Sequence, residues 1–151
     1  MPEMFGNLYG DEDKKEKPVA NSRFGIEIDG IIESSFANAK GVSVEIETMS
    51  YHEGGMLYEH TFPTKTKFSN ITLERGTTSS DVLAKWILQI QEGIIDRKDF
   101  AIILWNPKGE IVKRWNFSSG LPVKWSVSDF DGMGSSVAIE TIELSHLGMK
   151  L

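Results

Sequence analysis

The chain contains no cysteine, only three histidines and fewer basic than acidic residues, 16 against 22. The absence of cysteine excludes disulfides and thiolate chemistry, so packing alone has to stabilise the fold. No apolar run approaches the roughly 20 residues that a membrane-spanning helix needs, and residues 1–17 lack the apolar core of a secretory signal. The net charge of −6 argues against a surface that grips nucleic acid through its phosphates. We therefore expect a protein made in the cytoplasm, without membrane anchoring.

A length of 151 residues suits one domain with a real core. We assign residues 1–18 to an N-terminal extension and residues 19–151 to the domain. A mixed run of charges at 11–17 follows the apolar Phe5 and Leu8. Two interpretations of the extension stay open, a disordered tail or an arm that Phe5 and Leu8 anchor on a neighbouring subunit.

Alternation of apolar and polar residues predicts strands through most of the domain. A run that is apolar on both faces, 100–105, is expected at the centre of the sheet. A change of phase near Met49 and Tyr51 predicts a β-bulge. Tight turns are predicted at Asp29-Gly30 and at 106–109, and a short connection at 36–41. The other predicted strands are 23–29, one beginning at Val42, 68–75, 111–117, 123–127 and 137–144, with a short tail after Gly148.

One segment has the spacing of an amphipathic helix, about Ser80-Glu92, with Ser79 or Ser80 as its cap and Gly93 as its stop. Its apolar stripe consists of Val82, Leu83, Trp86, Ile87 and Ile90. About seven strands and one helix predict an α+β fold. We expect a mainly antiparallel β-barrel or sandwich, closed or nearly closed, with the helix packed beside it and a long extended hairpin loop.

The stretch from Tyr51 to Lys67 is a partly polar excursion between two good strands. Glu53-Gly54-Gly55 predicts a bend, because two adjacent glycines reach backbone angles closed to other residues. Such an excursion contributes little to a core and is well suited to reaching another molecule.

No constellation of residues predicts catalysis, a metal site or a cofactor site. His52, His60 and His146 lack metal-ligand spacing and are interpreted as solvated or edge residues. The segment 129–132 lacks the acidic positions of a calcium loop, and the segment 132–136 lacks the lysine and helix of a phosphate-binding loop. The four tryptophans lie on predicted strands or on the helix stripe, where core packing is expected. We predict that the chain is not an enzyme.

Motifs along nearly the whole domain resemble those of one family. Glu53-Gly54-Gly55 and 70–76 (NITLERG) are similar to the signature of the tail-tube proteins of contractile phages and phage-like injection systems. Further similar motifs, in the same order, are 24–30 (FGIEIDG), Phe36 with Gly41, 97–99, 115–117, 122–125 and 138–144 before His146 and Gly148. The resemblance also extends to the secreted tube protein of type VI systems.

This resemblance implies a structural subunit of an inner tube, in which six copies close a ring and rings stack inside a contractile sheath. The implied partners are further copies, the sheath protein, and baseplate, spike and tail-terminator proteins of a bacterial phage tail or injection-system particle. DNA or protein cargo would pass through the lumen without specific binding, and we expect the lumen to be net negative. The excursion would reach the adjacent ring, with contacts at Tyr51, Glu53, Gly54, Gly55, Tyr58, Phe62 and Lys65.

Three alternatives to a repeating tube subunit remain. A tube initiator or baseplate adaptor of the same fold would form one ring and not polymerise by itself. The chain length, without a large insertion, favours the repeating subunit. A small-ligand-binding β-barrel would need a deep cavity with convergent polar groups, and an enzyme would need a catalytic signature that is not present.

Overall fold

An eight-stranded antiparallel sheet, a separate two-stranded sheet and one helix make up the fold in a computed structural model, which describes residues 23–33, 36–55, 57–134 and 137–151. The predicted N-terminal arm with Phe5 and Leu8 lies outside the described residues. The elements are β1 (Arg23–Ile28), β2 (Ile31–Glu33), β3 (Phe36–Lys40), β4 (Val44–Tyr51), β5 (His60–Phe68), β6 (Ile71–Gly76), α1 (Val82–Gln91), β7 (Lys98–Trp105), β8 (Ile111–Val127), β9 (Ile139–Ser145) and β10 (Gly148–Lys150).

The large sheet runs in the order β2-β1-β7-β8-β9-β6-β3, and β10 pairs with β8 beside this path. The first part of the 17-residue β8 pairs with β7 and its second part with β9, so β8 belongs to both halves of the sheet. The strand passes between the halves at Ser119-Gly120. A β-carbon on Gly120 would overlap the Phe100 ring, so only glycine fits there.

The two end strands of the path, β2 and β3, are consecutive in sequence, so the sheet curls round until its ends face each other. Within the described residues no ladder joins β2 to β3, and the sheet is therefore not closed. We call the gap between β2 and β3 the seam. The α+β fold class is confirmed, with the barrel nearly closed.

The core lies between the two halves of the curled sheet. Ile26, Ile71, Leu73, Ile142 and Leu144 are almost completely buried. Leu83 and Trp86 of α1 join the same cluster, and Trp86 Nε1 donates a hydrogen bond to the Asp96 carbonyl at 2.8 Å. Burying each such side chain is worth about 1.5–3 kcal/mol. This packing fixes α1 beside the sheet, as predicted from its apolar stripe.

Several local predictions are confirmed. β7 is a central strand whose residues 100–103 are all buried. The turns at Asp29-Gly30 and 106–109 join β1 to β2 and β7 to β8, and α1 ends just before Gly93.

Other predictions are wrong. The predicted connection 36–41 contains a strand, β3, over Phe36–Lys40, and the predicted strands 111–117 and 123–127 are one strand, β8. The predicted strand 68–75 is divided between β5 and β6, and Gly148 begins β10 rather than a tail. Neither Ser79 nor Ser80 caps the helix, because Asp81 holds the N-cap position, without a side-chain hydrogen bond. The Ser80 hydroxyl instead donates to Glu33 Oε1.

Candidate assembly surfaces

The β4–β5 hairpin is a two-stranded sheet of its own, outside the eight-stranded sheet. Its strands pair from Val44↔Phe68 to Tyr51↔His60, and the described residues 52–55 and 57–59 form the turn between them. At the turn, Leu57 is fully exposed and Tyr58 is 63% exposed. A two-stranded hairpin by itself is marginally stable in water. We therefore regard the hairpin as a surface that another molecule can cover and thereby stabilise.

The residues predicted for the ring-stacking contact are all exposed and all belong to this hairpin. Glu53, Gly54, Gly55 and Tyr58 lie in the turn, while Tyr51, Phe62 and Lys65 lie on the strands. The structure brings Tyr51 and Tyr58 together around His60, since Tyr51 stacks on His60 with ring centroids 5.3 Å apart and Tyr58 meets the same ring edge-on at 5.2 Å. Phe62 joins the group through the Tyr51 ring. Lys65 lies nearer the body and pairs with Glu47 at 3.4 Å. Their role in stacking stays a prediction.

A bulge lies close to the one predicted from the phase change near Met49 and Tyr51, but it is on the partner strand β5 and not on β4. The register passes from Glu47↔Lys65 to Thr48↔Pro63, so Thr64 is an extra residue on β5. Its hydroxyl donates to the Glu47 carbonyl at 3.1 Å.

The root of the hairpin joins the body through an aromatic cluster around His146. The His146 ring lies 5.2 Å from Phe68 and 4.8 Å from Phe117 between centroids. The interpretation of His146 as a solvated or edge residue is wrong, because the residue is only 9% exposed. Neither of its nitrogens has a hydrogen-bond partner in the described part of the chain. The ring therefore contributes to the cluster through its packing against Phe68 and Phe117.

A buried ionic cluster spans the seam. Arg75 of β6 is 1% exposed, and its Nη1 donates to Glu33 of β2 at 2.8 Å while its Nε donates to Glu140 of β9 at 3.4 Å. The guanidinium also lies over the Phe36 ring of β3, 5.0 Å from its centroid, and Trp125 Nε1 donates to Glu140. Arg75 thus links the two end strands, which no backbone ladder joins within the described part of the chain.

Sequence reasoning missed this cluster, although the sequence contained a signal for it. Arg75 continues the buried alternation of Ile71 and Leu73, and a charge in the phase of the buried face indicates a buried partner.

On another face, residues of β1, β7, β8 and β10 line an open cavity of about 630 Å³. Arg114 donates from Nη1 and Nη2 to the two oxygens of Glu27 at 2.9 and 3.0 Å, and from Nε to Asn116 Oδ1 at 2.8 Å. The floor includes Phe100 and Phe117. Because the Arg114 guanidinium is already paired, it presents no free cation to a ligand.

We expect Glu27→Gln to lower the free energy of unfolding near neutral pH by roughly 0.2–1 kcal/mol, the range for a partly exposed pair. The bidentate hydrogen bond from Arg114 holds the pKa of the Glu27 carboxyl below its ordinary value. A lowered pKa stabilises the fold above the unfolded-state pKa of about 4.3, and that contribution is lost as pH falls through the folded-state pKa.

Urea unfolding at about pH 7 and about pH 2.5 measures the effect, since the second pH lies well below the unfolded-state pKa of Glu27, where the contribution of a lowered folded-state pKa declines. The difference between wild type and Glu27→Gln should be present in full at the higher pH and smaller at the lower. Glu53→Gln, an exposed carboxylate in the hairpin turn, is the matched control. A difference that persists unchanged in acid would contradict the assignment.

No group of three or more histidine, aspartate or glutamate side chains within the described ranges is placed to hold a metal ion. In that same part of the chain, no helix has the length and apolarity to cross a membrane.

Comparison with known proteins identifies the class. A family model described as T4-like virus tail tube protein gp19 matches residues 20–150. The chain belongs to this tail tube family. A search of curated proteins finds no match.

Solved structures agree with membership of the tail tube family. A chain from the sheath-tube complex of an extracellular contractile injection system, PVC, in its extended state is 26% identical, with a TM-score of 0.77 over 90% of this chain and 92% of that one. A chain from the PVC sheath/tube terminator structure has the same identity and TM-score and is covered to 97%. Hcp1 from Flavobacterium johnsoniae shares the fold at 21% identity, with a TM-score of 0.58 over 84% of this chain and 94% of that one.

Proposed function

We propose that the chain is the repeating subunit of the inner tube of a contractile tail or injection system. Six copies close a ring, and the rings stack into a hollow tube. Family membership and the 26% identical chain from a sheath-tube complex support a tube subunit. The observation that carries the finer proposal is the projecting β4–β5 hairpin, which exposes apolar side chains at 39–101% along its length and turn.

Lateral association has its own support in the edge strands. β2 lies at one end of the sheet and exposes Ile31 and Ile32, each at 51%. An exposed apolar edge invites strand pairing and is a liability in a free monomer. A neighbouring copy that covers this edge prevents such unwanted pairing. The same head-to-tail contact, repeated from copy to copy, closes a ring.

The proposed partners follow from the same role. The outer surface of the tube meets the sheath protein, and its two ends meet baseplate, spike and terminator proteins. DNA or protein cargo passes through the lumen without specific binding, because the acidic chain gives a net negative wall. A lumen found to be lined mainly by lysine and arginine would contradict this part of the proposal.

Removing the hairpin turn tests the stacking role. Tyr51 and His60 face each other across the ladder, so a two-residue Asn-Gly turn can replace 52–59 and reconnect the strands. We expect this variant to stay folded and to stop at soluble subunits or single rings, because the part that reaches the next ring is gone. Negative-stain electron microscopy and sedimentation velocity measure the outcome.

A full-length variant with Leu57→Ser and Tyr58→Ser serves as the matched control for chain length. It keeps the turn and removes only two large apolar side chains that are exposed there, so it should also weaken stacking. An unfolding midpoint equal to that of wild type shows that the fold is intact. Full-length tubes from the shortened chain would show that the stacking contact lies elsewhere.

A tube initiator, baseplate adaptor or terminator of the same fold is the second candidate. Chains from a tube terminator structure at 26% identity and from a tube-terminating cap at 24% identity are similar to this one. Such a subunit forms one ring and does not extend it. Tubes from the purified chain alone would support the repeating subunit, whereas single rings at high protein concentration would support the second candidate.

A further inference from the structure

We infer that each β4–β5 hairpin contacts two other copies of the chain, one on each of its faces, through two apolar patches that the bulge separates. The inference rests on the proposed tube function and specifies how the hairpin would serve it. It begins with the register of the two strands.

On β4, which carries no extra residue, successive side chains point to opposite faces. Val44 and Ile46 therefore share one face, and Glu47, Met49 and Tyr51 share the other. On β5, the extra residue Thr64 shifts the alternation by one position. Each β5 residue between Thr64 and the turn therefore points to the same face as the β4 residue with which it pairs. The apolar side chains therefore lie on one face of the hairpin between the body and the bulge, and on the opposite face between the bulge and the turn.

The root patch consists of Val44 and Ile46 and lies on the face of Phe68, which is paired with Val44. Phe68 packs on His146, so this face is the one turned towards the body. Val44 and Ile46 remain 45% and 55% exposed. The opposite face at this level is charged, because Glu47 forms ion pairs with both Lys65 and Lys67. At the root, only the body-side face offers apolar contact.

The tip patch consists of Met49, Tyr51, His60 and Phe62 and lies on the opposite face. Met49 pairs with Phe62 and Tyr51 with His60 across the ladder, and the Tyr51 and Phe62 rings meet edge-on at 5.9 Å. The reverse side at this level carries Ser50 and Thr61, which also pair with each other. The tip is therefore apolar on the face where the root is charged.

A single neighbour lying against one side of the hairpin can cover one patch but not both, since the patches point in opposite directions. Each patch is only two to four side chains, well below the roughly 800 Å² per partner of a stable interface. Weak contacts of this size hold when many copies make them at once. A repeating assembly of identical copies meets this condition.

The test compares two matched pairs of substitutions. All of them introduce threonine, a β-branched residue that suits a strand, so that the hairpin itself is kept. The root pair is Val44→Thr with Ile46→Thr, and the tip pair is Met49→Thr with Phe62→Thr. We expect each pair to raise the protein concentration needed for assembly by at least about tenfold, because two apolar side chains lose their burial. Ser50→Ala with Thr61→Ala, on the polar face of the tip, should leave assembly unchanged.

Sedimentation velocity and negative-stain images of the full chain identify the species at which each variant stops. Two contacts with different copies predict two different end products, such as single rings from one pair and subunits from the other. Identical end products, or tubes unaffected by either pair, would overturn the inference while leaving the tube function intact. A wild-type chain that never forms rings or tubes would instead contradict the proposed function itself.

Discussion

Replacing Arg75 with methionine is expected to lower the free energy of unfolding by about 3–5 kcal/mol, the cost of breaking a buried ion pair from one side. Methionine fills a similar volume but leaves the carboxylates of Glu33 and Glu140 buried without their cation. Because Arg75 links β2, β3 and β9, the loss falls on the seam, where no backbone ladder within the described residues compensates for it. Urea unfolding monitored by tryptophan fluorescence measures the change.

Two further variants show whether the effect has this origin. Arg97 is an exposed arginine with one long hydrogen bond to the Ser119 carbonyl at 3.5 Å, so Arg97→Met should change stability by no more than about 0.5 kcal/mol. Adding Glu33→Gln and Glu140→Gln to Arg75→Met should recover part of the loss, because the orphaned charges are removed. No recovery would mean that shape rather than charge explains the role of Arg75.

Gly41→Ala is expected to cost about 3 kcal/mol or more, from two sources that act together. Gly41 has φ +94°, in the left-handed region that favours glycine. A β-carbon there would also overlap the carbonyl oxygen of Asn70, which is backbone and cannot move aside. The chain between β3 and β4 thus passes too close to the start of β6 for any side chain.

Gly109→Ala is the control that separates these sources. Gly109 has φ +84° in the β7–β8 turn, and a β-carbon added there would meet no atom of the described chain within 4 Å. Its substitution should cost only the backbone strain of about 1–2 kcal/mol. Equal losses for the two variants, measured by urea unfolding, would show that the close approach at Asn70 is not rigid.

Local signals in the sequence were sufficient for much of the fold. The helix, the central strand β7 and the turn at Asp29-Gly30 each depend on periodicity or turn chemistry within a few residues. The seam could not be predicted in this way, because Glu33, Arg75 and Glu140 are far apart in sequence and meet only after the sheet curls. The same applies to β8, where two alternating runs on either side of Gly120 form one strand only because β7 and β9 pair along its length.

The candidate assembly surface was located from the sequence, but its construction was not. The glycine pair and the polar segment indicated an excursion, and the phase change near Met49 indicated a bulge. The strand over the largely polar run 61–67 could not be predicted, because its side chains are exposed on both faces and give no apolar alternation. Which molecule covers each face could not be predicted, because that depends on the positions of other copies and the sequence of one chain does not give those positions.

The hairpin leaves the body from one place only within the described chain, at Val44 and Phe68, and this has a consequence for any stack of identical layers. In the proposed tube, every ring then has one face that bears the hairpins and one face that receives them, so the two ends of the tube differ. A protein that starts the proposed tube and a protein that ends it must therefore recognise different surfaces, and neither can replace the other.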